Sequence, residues 1–208
     1  MANSKTLFPK PFARHGIRNP KQPLGTWNIC TKTCYLCLRE NCFMPIAYLM
    51  TGSNLGNREE NLKKATGEIS GRAGRILYLS GMYVSDPWGN AHQEKFLNQL
   101  VVIETKTSAR ELLNICLATE QSLGRVRNKE QNSPRTIDID ILFYGNDIIR
   151  EDGLLVPHPR LHLRNFCLIP LLEVHPALVH PVFDKTVWQL YRECEDTGRV
   201  YPLNAQEP

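Results

Sequence analysis

Residues 76–105 read ILYLSGMYVSDPWGNAHQEKFLNQLVVIET. Ile76 to Ser85 is rich in β-formers, and so is Phe96 to Thr105. The turn-rich stretch Asp86-Pro87-Trp88-Gly89-Asn90-Ala91-His92-Gln93 separates them. Two strands in succession, with no crossover helix between, argue against a doubly wound parallel sheet.

Upstream, the apolar run Ile46 to Thr51 ends in Gly52-Ser53-Asn54-Leu55-Gly56-Asn57, a strand followed by a turn that opens a helix. Asn57 is the expected N-cap, with Glu59 and Glu60 in the first turn and Leu62, Ala65 and Ile69 at helical spacing. Downstream, Ser108 caps a second helix carrying Leu112, Leu113, Ile115, Cys116 and Leu123, closed by Gly124. Ile137 to Tyr144 is a further strand, stopped by Gly145-Asn146. The order strand, helix, strand, strand, helix, strand predicts an α+β fold, a ferredoxin-like βαββαβ sandwich. To it are added a hairpin-like segment, 147–156, and helices over 168–174 and 186–194. Residues 44–208 are expected to form one domain without repeats or linker.

The chain has 208 residues, 42% hydrophobic and 22% charged, so it can bury a real core. Its formal charge of +4 is unevenly placed. Lys5, Lys10, Arg14, Arg18, Lys21, Lys32 and Arg39 face a single acid, Glu40, before residue 44. The rest of the chain is slightly acidic and gives no electrostatic reason to expect nucleic acid. No run approaches the roughly 18 apolar residues of a membrane span, and no apolar signal core opens the chain. A cytoplasmic, membrane-free protein with reduced thiols is expected.

Residues 1–43 carry prolines at 9, 11, 20 and 23 and no lasting periodicity. They read as a disordered or foreign extension, with Met44 as the expected natural start. A mitochondrial targeting role is a weaker reading, since one serine and many prolines oppose it. Cys30, Cys34 and Cys37 have a C-x3-C-x2-C spacing similar to the cluster loop of radical S-adenosylmethionine enzymes. The remainder of the chain is too short for the barrel those enzymes need.

The strongest chemical signal is Pro134-Arg135-Thr136-Ile137-Asp138-Ile139-Asp140-Ile141-Leu142. On a strand, Asp138 and Asp140 share one face about 6.5–7 Å apart, and the isoleucines share the other. Paired carboxylates invite a hard cation, and Mg²⁺ is the natural candidate. The apolar flanks predict a central strand. Arg125, Arg127, Arg135, His158 and Arg164 come from different segments and suit a polyphosphate, hence a nucleotide. Neither a P-loop nor a GxGxxG is present. Phe96 and Phe166, with Asn98 on the same strand face as Phe96, suit a flat heterocycle.

These pieces, taken in order, resemble the family of 6-hydroxymethyl-7,8-dihydropterin pyrophosphokinases over essentially all of residues 46–200. The resemblance is carried by Gly52-Ser53-Asn54-Leu55-Gly56, Phe96-Leu97-Asn98, Glu120 with Gly124-Arg125-Val126-Arg127, Pro134 to Asp140, and Val156-Pro157-His158-Pro159-Arg160-Leu161-His162. It implies transfer of the β,γ-diphosphate of ATP to the pterin hydroxymethyl group, with release of AMP. It implies that Asp138 and Asp140 bind two Mg²⁺ ions, and that Arg125 and Arg135 reach the transferring oxygens from a mobile catalytic loop. Arg127, His158 and Arg164 would hold the triphosphate, with Glu120 and Ile141 lining the nucleotide site. Asn98 would bond the pterin edge, Phe166 would stack on it, and Phe96 would wall a pocket completed by the backbone at Ser85, Pro87 and Trp88. The loops 86–94 and 125–135 are the expected lids, and a monomer is expected. The chain departs from the family pattern at Asp86, where proline is common, at Asn128, where lysine is frequent, and at Asn132-Ser133, where Trp-Gly is frequent.

Two other classes compete. Gly52-Ser53 and Asp138-x-Asp140 mimic a nucleotidyltransferase, although in that group the two elements lie close in sequence. A non-catalytic RNA-binding module uses the same frame but needs exposed aromatics and a basic sheet face.

Overall fold

The structure, a computed structural model, describes residues 44–88, 93–125 and 133–205. The expected domain boundary at 44 and every expectation for residues 1–43 fall on, or depend on, residues outside that set. In chain order the elements are β1 (Ile46–Ser53), α1 (Arg58–Arg72), β2 (Arg75–Leu79), β3 (Tyr83–Ser85), β4 (Phe96–Glu104), α2 (Ala109–Ser122) and β5 (Asp138–Tyr144). There follow β6 (Ile149–Glu151), β7 (Leu154–Val156), a 3₁₀ turn at Leu161–Leu163, α3 (Asn165–Val174), β8 (Val179–His180), β9 (Lys185–Thr186), α4 (Val187–Glu193) and β10 (Val200–Pro202).

The helix caps follow the sequence signals. Asn57 Oδ1 accepts the Glu60 N–H at 3.2 Å. Ser108 and Glu111 exchange side-chain and backbone bonds in a full capping box, which satisfies two otherwise orphaned donors of α2. Gly124 ends that helix at φ 82°, a conformation costly for residues with a side chain.

The main sheet runs β10-β3-β4-β1-β5, with β2 also paired to β4, and every pairing is antiparallel. This is the βαββαβ arrangement, with two corrections to the sequence reading. The expected strand 76–85 is two strands. Between them the Ser80 hydroxyl accepts the Leu100 N–H at 2.9 Å, and the Gly81 N–H turns away to the Glu173 carboxylate at 3.1 Å. Strand β5 is an edge strand rather than a central one. Its outer side is nevertheless covered, since the Ile139 N–H donates to Glu120 Oε1 at 2.8 Å and Leu142 O accepts from the His158 N–H at 3.0 Å. Its apolar composition reports that covering. Strands β8, β9 and β10, of two or three residues, are too short to show a period.

Alternation along the strands builds two cores. Ala47, Leu49, Leu97, Val101, Ile103, Ile137, Ile139 and Ile141 pack against Leu62, Ala65 and Ile69 of α1 and Leu112 and Cys116 of α2. On the opposite face Tyr48, Met50, Leu100, Val102, Leu142 and Phe143 pack against Leu168 and Leu171 of α3 and Val187 and Leu190 of α4. The β1–β5 register shifts between Tyr48 and Leu49, so that Leu142 and Phe143 both join this second core. The hairpin β8–β9 adds His180, which stacks on Phe183 at 4.5 Å and meets the edge of Phe143 at 5.5 Å.

Removing the α2 cap by Ser108→Ala is expected to cost about 1 kcal/mol, read as a lower urea midpoint at unchanged slope. Burial, reinforced by nearby His162, pushes His180 down to about 4 in the folded chain from its ordinary 6.5. The unfolded chain therefore takes up the proton first, and stability present above about pH 6.5 is lost as pH falls towards 4. The urea midpoint should drop between pH 7 and pH 5, and by less in His180→Phe; equal drops would remove His180 from the account.

Candidate active site

The register of three strands sets the floor of a cleft on the second sheet face. Gly52 on β1 stands opposite Asn98 on β4 and Asp138 on β5, and Met50 stands opposite Leu100 and Asp140. Phe96, two residues before Asn98, lies on the same face. A Cβ at Gly52 would lie 3.0 Å from Asn98 Oδ1 and 3.8 Å from the Phe96 ring, so only glycine leaves those side chains their positions. The Asn98 amide donates to Ser85 Oγ at 2.9 Å and to Tyr83 O at 3.4 Å, which fixes its orientation between β3 and β1.

The walls come from chain ends of neighbouring elements: Asp86-Pro87-Trp88 after β3, His158 and Arg160 after β7, and Arg164 with Phe166 at the start of α3. Together with Arg125, Arg135 and Gln93 they enclose about 210 Å³. Guanidinium groups lie over the aromatic faces. Arg164 is 4.4 Å from the Trp88 centroid and 5.4 Å from Phe166, Arg160 is 5.6 Å from Trp88, and Arg135 is 5.6 Å from Phe96. Arg164 is only 7% exposed, and the buried Nε–H groups of Arg164 and Arg135 have no hydrogen-bond partner among the described residues. Two buried cationic donors left unpaired suit an anionic ligand.

The carboxylates are held on the opposite side of the same cleft. Arg125 Nη1 bridges Glu120 Oε1 and Asp138 Oδ1, the latter at 2.5 Å, and Arg135 Nη1 reaches Asp138 Oδ2 at 3.1 Å. Asp140 has no such close partner among the described residues. Burial first, and then the neighbouring Asp138 charge, push it up to about 7 against the pull of Arg164 and Arg135. His158 Nε2 is 4.0 Å from Asp140 Oδ2. Burial, with Arg164 and Arg160 nearby, depresses His158 to about 4, so the ring is neutral at pH 7. Its Nδ1 accepts the Arg160 N–H at 3.2 Å, which leaves the proton on Nε2.

Oxygen donors on a strained carboxylate pair fit a hard divalent cation. Among the described residues no cluster of three or more His, Cys, Asp and Glu could hold a metal by itself. A cation here would complete its shell with water and ligand oxygens, as Mg²⁺ commonly does. A second, shallower cleft over α2, lined by Asn114, Leu117, Ala118, Glu120 and Gln121, shares Arg125 with the first. Arg125 is common to both clefts and lies between Glu120 and Asp138.

Residues 48–176 match the family model of 7,8-dihydro-6-hydroxymethylpterin-pyrophosphokinase, HPPK. The chain belongs to the HPPK family. It is 39% identical over 156 residues to the 2-amino-4-hydroxy-6-hydroxymethyldihydropteridine pyrophosphokinase of Methylorubrum extorquens, covering 74% of this chain and 97% of that protein. The enzyme of that name from Bacillus subtilis is 40% identical over 130 residues, covering 62% of this chain and 77% of the relative. Among solved structures, an HPPK-DHPS crystallised with substrates superposes with a TM-score of 0.59 at 17% identity, over 72% of this chain and 43% of that one. Wild-type HPPK-DHPS of Plasmodium falciparum with pteroate gives 0.59 at 16% identity, over 72% and 42%. This chain thus spans less than half the length of those structures, and at such identities they speak for the fold alone.

Of the positions selected through the HPPK resemblance, Ser85, Pro87, Trp88, Phe96, Asn98, Arg125, Arg135, Asp138, Asp140, His158, Arg164 and Phe166 all line the one cleft. Glu120 lines the adjoining one, whereas the Ile141 side chain lies in the core on the helix side. Arg127, Asn128 and Asn132 lie outside the described residues, as do parts of both expected lids. Arg125 and Arg135 are found paired with Asp138 rather than projecting free. Asp86, Gln93 and Arg160 were missed as lining residues, although Arg160 stands inside the motif Val156 to His162 beside His158. Gly52→Ala is expected to cost about 1–3 kcal/mol by overpacking against Asn98. Gly67→Ala on α1, where an added Cβ meets nothing within 4 Å, should instead stabilise by up to about 1 kcal/mol. Urea titration of the two variants checks both signs.

Proposed function

We propose that this chain transfers the β,γ-diphosphate of ATP to the hydroxymethyl group of 6-hydroxymethyl-7,8-dihydropterin, giving AMP and the pterin diphosphate, a step of folate biosynthesis. The observation that carries the reading is the row Asn98, Gly52, Asp138 across three adjacent strands. It sets an amide able to bond a heterocycle edge beside a carboxylate pair able to anchor a cation-bound polyphosphate. Membership of the HPPK family supports the same reaction.

In this reading Phe96 and Phe166 flank the pterin ring, Asn98 bonds its polar edge, and the backbone at Ser85, Pro87 and Trp88 completes the pocket. Arg135 and Arg164 turn their unpaired Nε–H groups to phosphate oxygens, and the neutral His158 donates from Nε2. Arg127 belongs to the same set. The nucleoside lies along α2, near Glu120 and the Ile141 backbone. Asp138 and Asp140 would hold two Mg²⁺ ions, which supply neutralisation of the phosphate charge when bound. The pterin hydroxyl oxygen forms the new bond to Pβ and gives up its proton to water, the bond from Pβ to the α-phosphate oxygen breaks, and AMP leaves with its electron pair. Because charge spreads over several oxygens, positioning and neutralisation carry the rate, and the convergent arginines supply both. No helix among the described residues is long and apolar enough to cross a membrane, and the reading takes the protein as a cytoplasmic monomer.

Product analysis with ATP, Mg²⁺ and 6-hydroxymethyl-7,8-dihydropterin, against a control lacking pterin, is expected to give pterin-dependent AMP. Release of inorganic diphosphate would favour a nucleotidyltransferase instead. Asp138→Ala and Asp140→Ala should each lower kcat by about a thousandfold with an unchanged circular-dichroism spectrum. Retained turnover in either variant would sink the carboxylate assignment.

A further inference from the structure

We propose that the segment 194–202, which lines none of the cleft, positions the pterin end of the site through Arg199 and Asp196. It rests on the proposed reading, in which the pterin lies between Phe96 and Phe166. The segment follows the stretch 48–176 that the family model matches.

The segment is fastened beside every wall of that pocket. Arg199 Nε reaches Asp86 Oδ2 at 3.1 Å, the Arg199 N–H donates to the same oxygen at 3.1 Å, and the Asp86 N–H donates to Arg199 O at 3.1 Å. Asp86 lies between Ser85 and Pro87, both on the pocket. The Asp196 carboxylate accepts the Asn165 N–H at 2.8 Å on one oxygen and the Gly198 N–H at 2.9 Å on the other. The Asn165 side-chain amide donates back to Asp196 O at 2.6 Å. Asn165 lies between Arg164 and Phe166. Strand β10 then pairs Val200 with Ser85, and the Tyr201 hydroxyl accepts from Lys95, the residue before Phe96, at 3.3 Å.

The start of α3 and the end of β3 belong to different layers, and 196–199 spans them with side-chain and backbone bonds at both ends. The distance between the two pocket walls is thereby set from outside the pocket. Asp86, standing where proline is common in the family pattern, supplies the carboxylate that this connection needs. A bond through an intermediary costs binding only by loosening a wall, and the wall that Arg199 holds through Asp86 faces the pterin, so the effect of that pair belongs to one substrate and not to the chemistry.

Steady-state AMP formation by the full chain, with each substrate varied in turn, tests the proposal. Arg199→Ala is expected to raise the KM for 6-hydroxymethyl-7,8-dihydropterin roughly three- to tenfold, with KM for ATP and kcat at saturation within about twofold. Asp196→Ala, which loosens Asn165 between the phosphate-binding Arg164 and Phe166, should raise the KM for both substrates, and Arg199→Lys, which keeps the ion pair, should recover most of the loss. Unchanged pterin KM with a lowered Tm would reduce the segment to a stabilising role and overturn the proposal. An equal rise in both KM values for Arg199→Ala would overturn it too. If the unaltered chain gives no pterin-dependent AMP, the proposed function falls first and takes this inference with it.

Discussion

Gly52 has Asn98 on one side and Asp138 on the other, and the site depends on that antiparallel register being held. Side chains alternate across a sheet, so a slip of one residue in β5 would exchange both aspartates for isoleucines. The register is fixed from the helix side, where Ile137, Ile139 and Ile141 are buried with Leu49 and Leu112. The same strand thus spends alternate residues on stability and on chemistry. Its second face is apolar where α3 and α4 cover it and polar where they stop.

Charge follows the same division. Glu120 is nearly fully buried, yet one of its oxygens receives both the Ile139 N–H and Arg125. These bonds tie α2 to the edge of β5. Asp140 is treated differently, being left to burial and to its neighbour. A carboxyl raised this far is a poor resting anion and a good site for an incoming cation. The arginines opposite supply positive charge without a fixed partner for every donor. The cleft is therefore balanced around a polyanion and its counterions, with neither side fully satisfied alone.

Much of this was legible in the chain. Caps at Asn57 and Ser108 depend on neighbours three residues away, and the two-strand middle depends only on local composition. Seven of the twelve cleft residues were reached because short motifs carry them in order, and Ser85, Pro87, Trp88, Arg164 and Phe166 lie outside those motifs. What was not legible depends on groups distant in sequence. The edge position of β5 was hidden because Glu120 and the His158 backbone cover it as another strand would. The break at Ser80 requires knowing that Glu173 waits on α3 for the Gly81 N–H. Arg160 and Asp86 enter the cleft through turns whose course no periodicity announces.

One consequence follows from Asp138 accepting both Arg125 and Arg135. One carboxylate thereby holds two guanidinium groups that come from different segments of the chain. In the proposed reaction a cation taken up by Asp138 would free both arginines in a single exchange of charge.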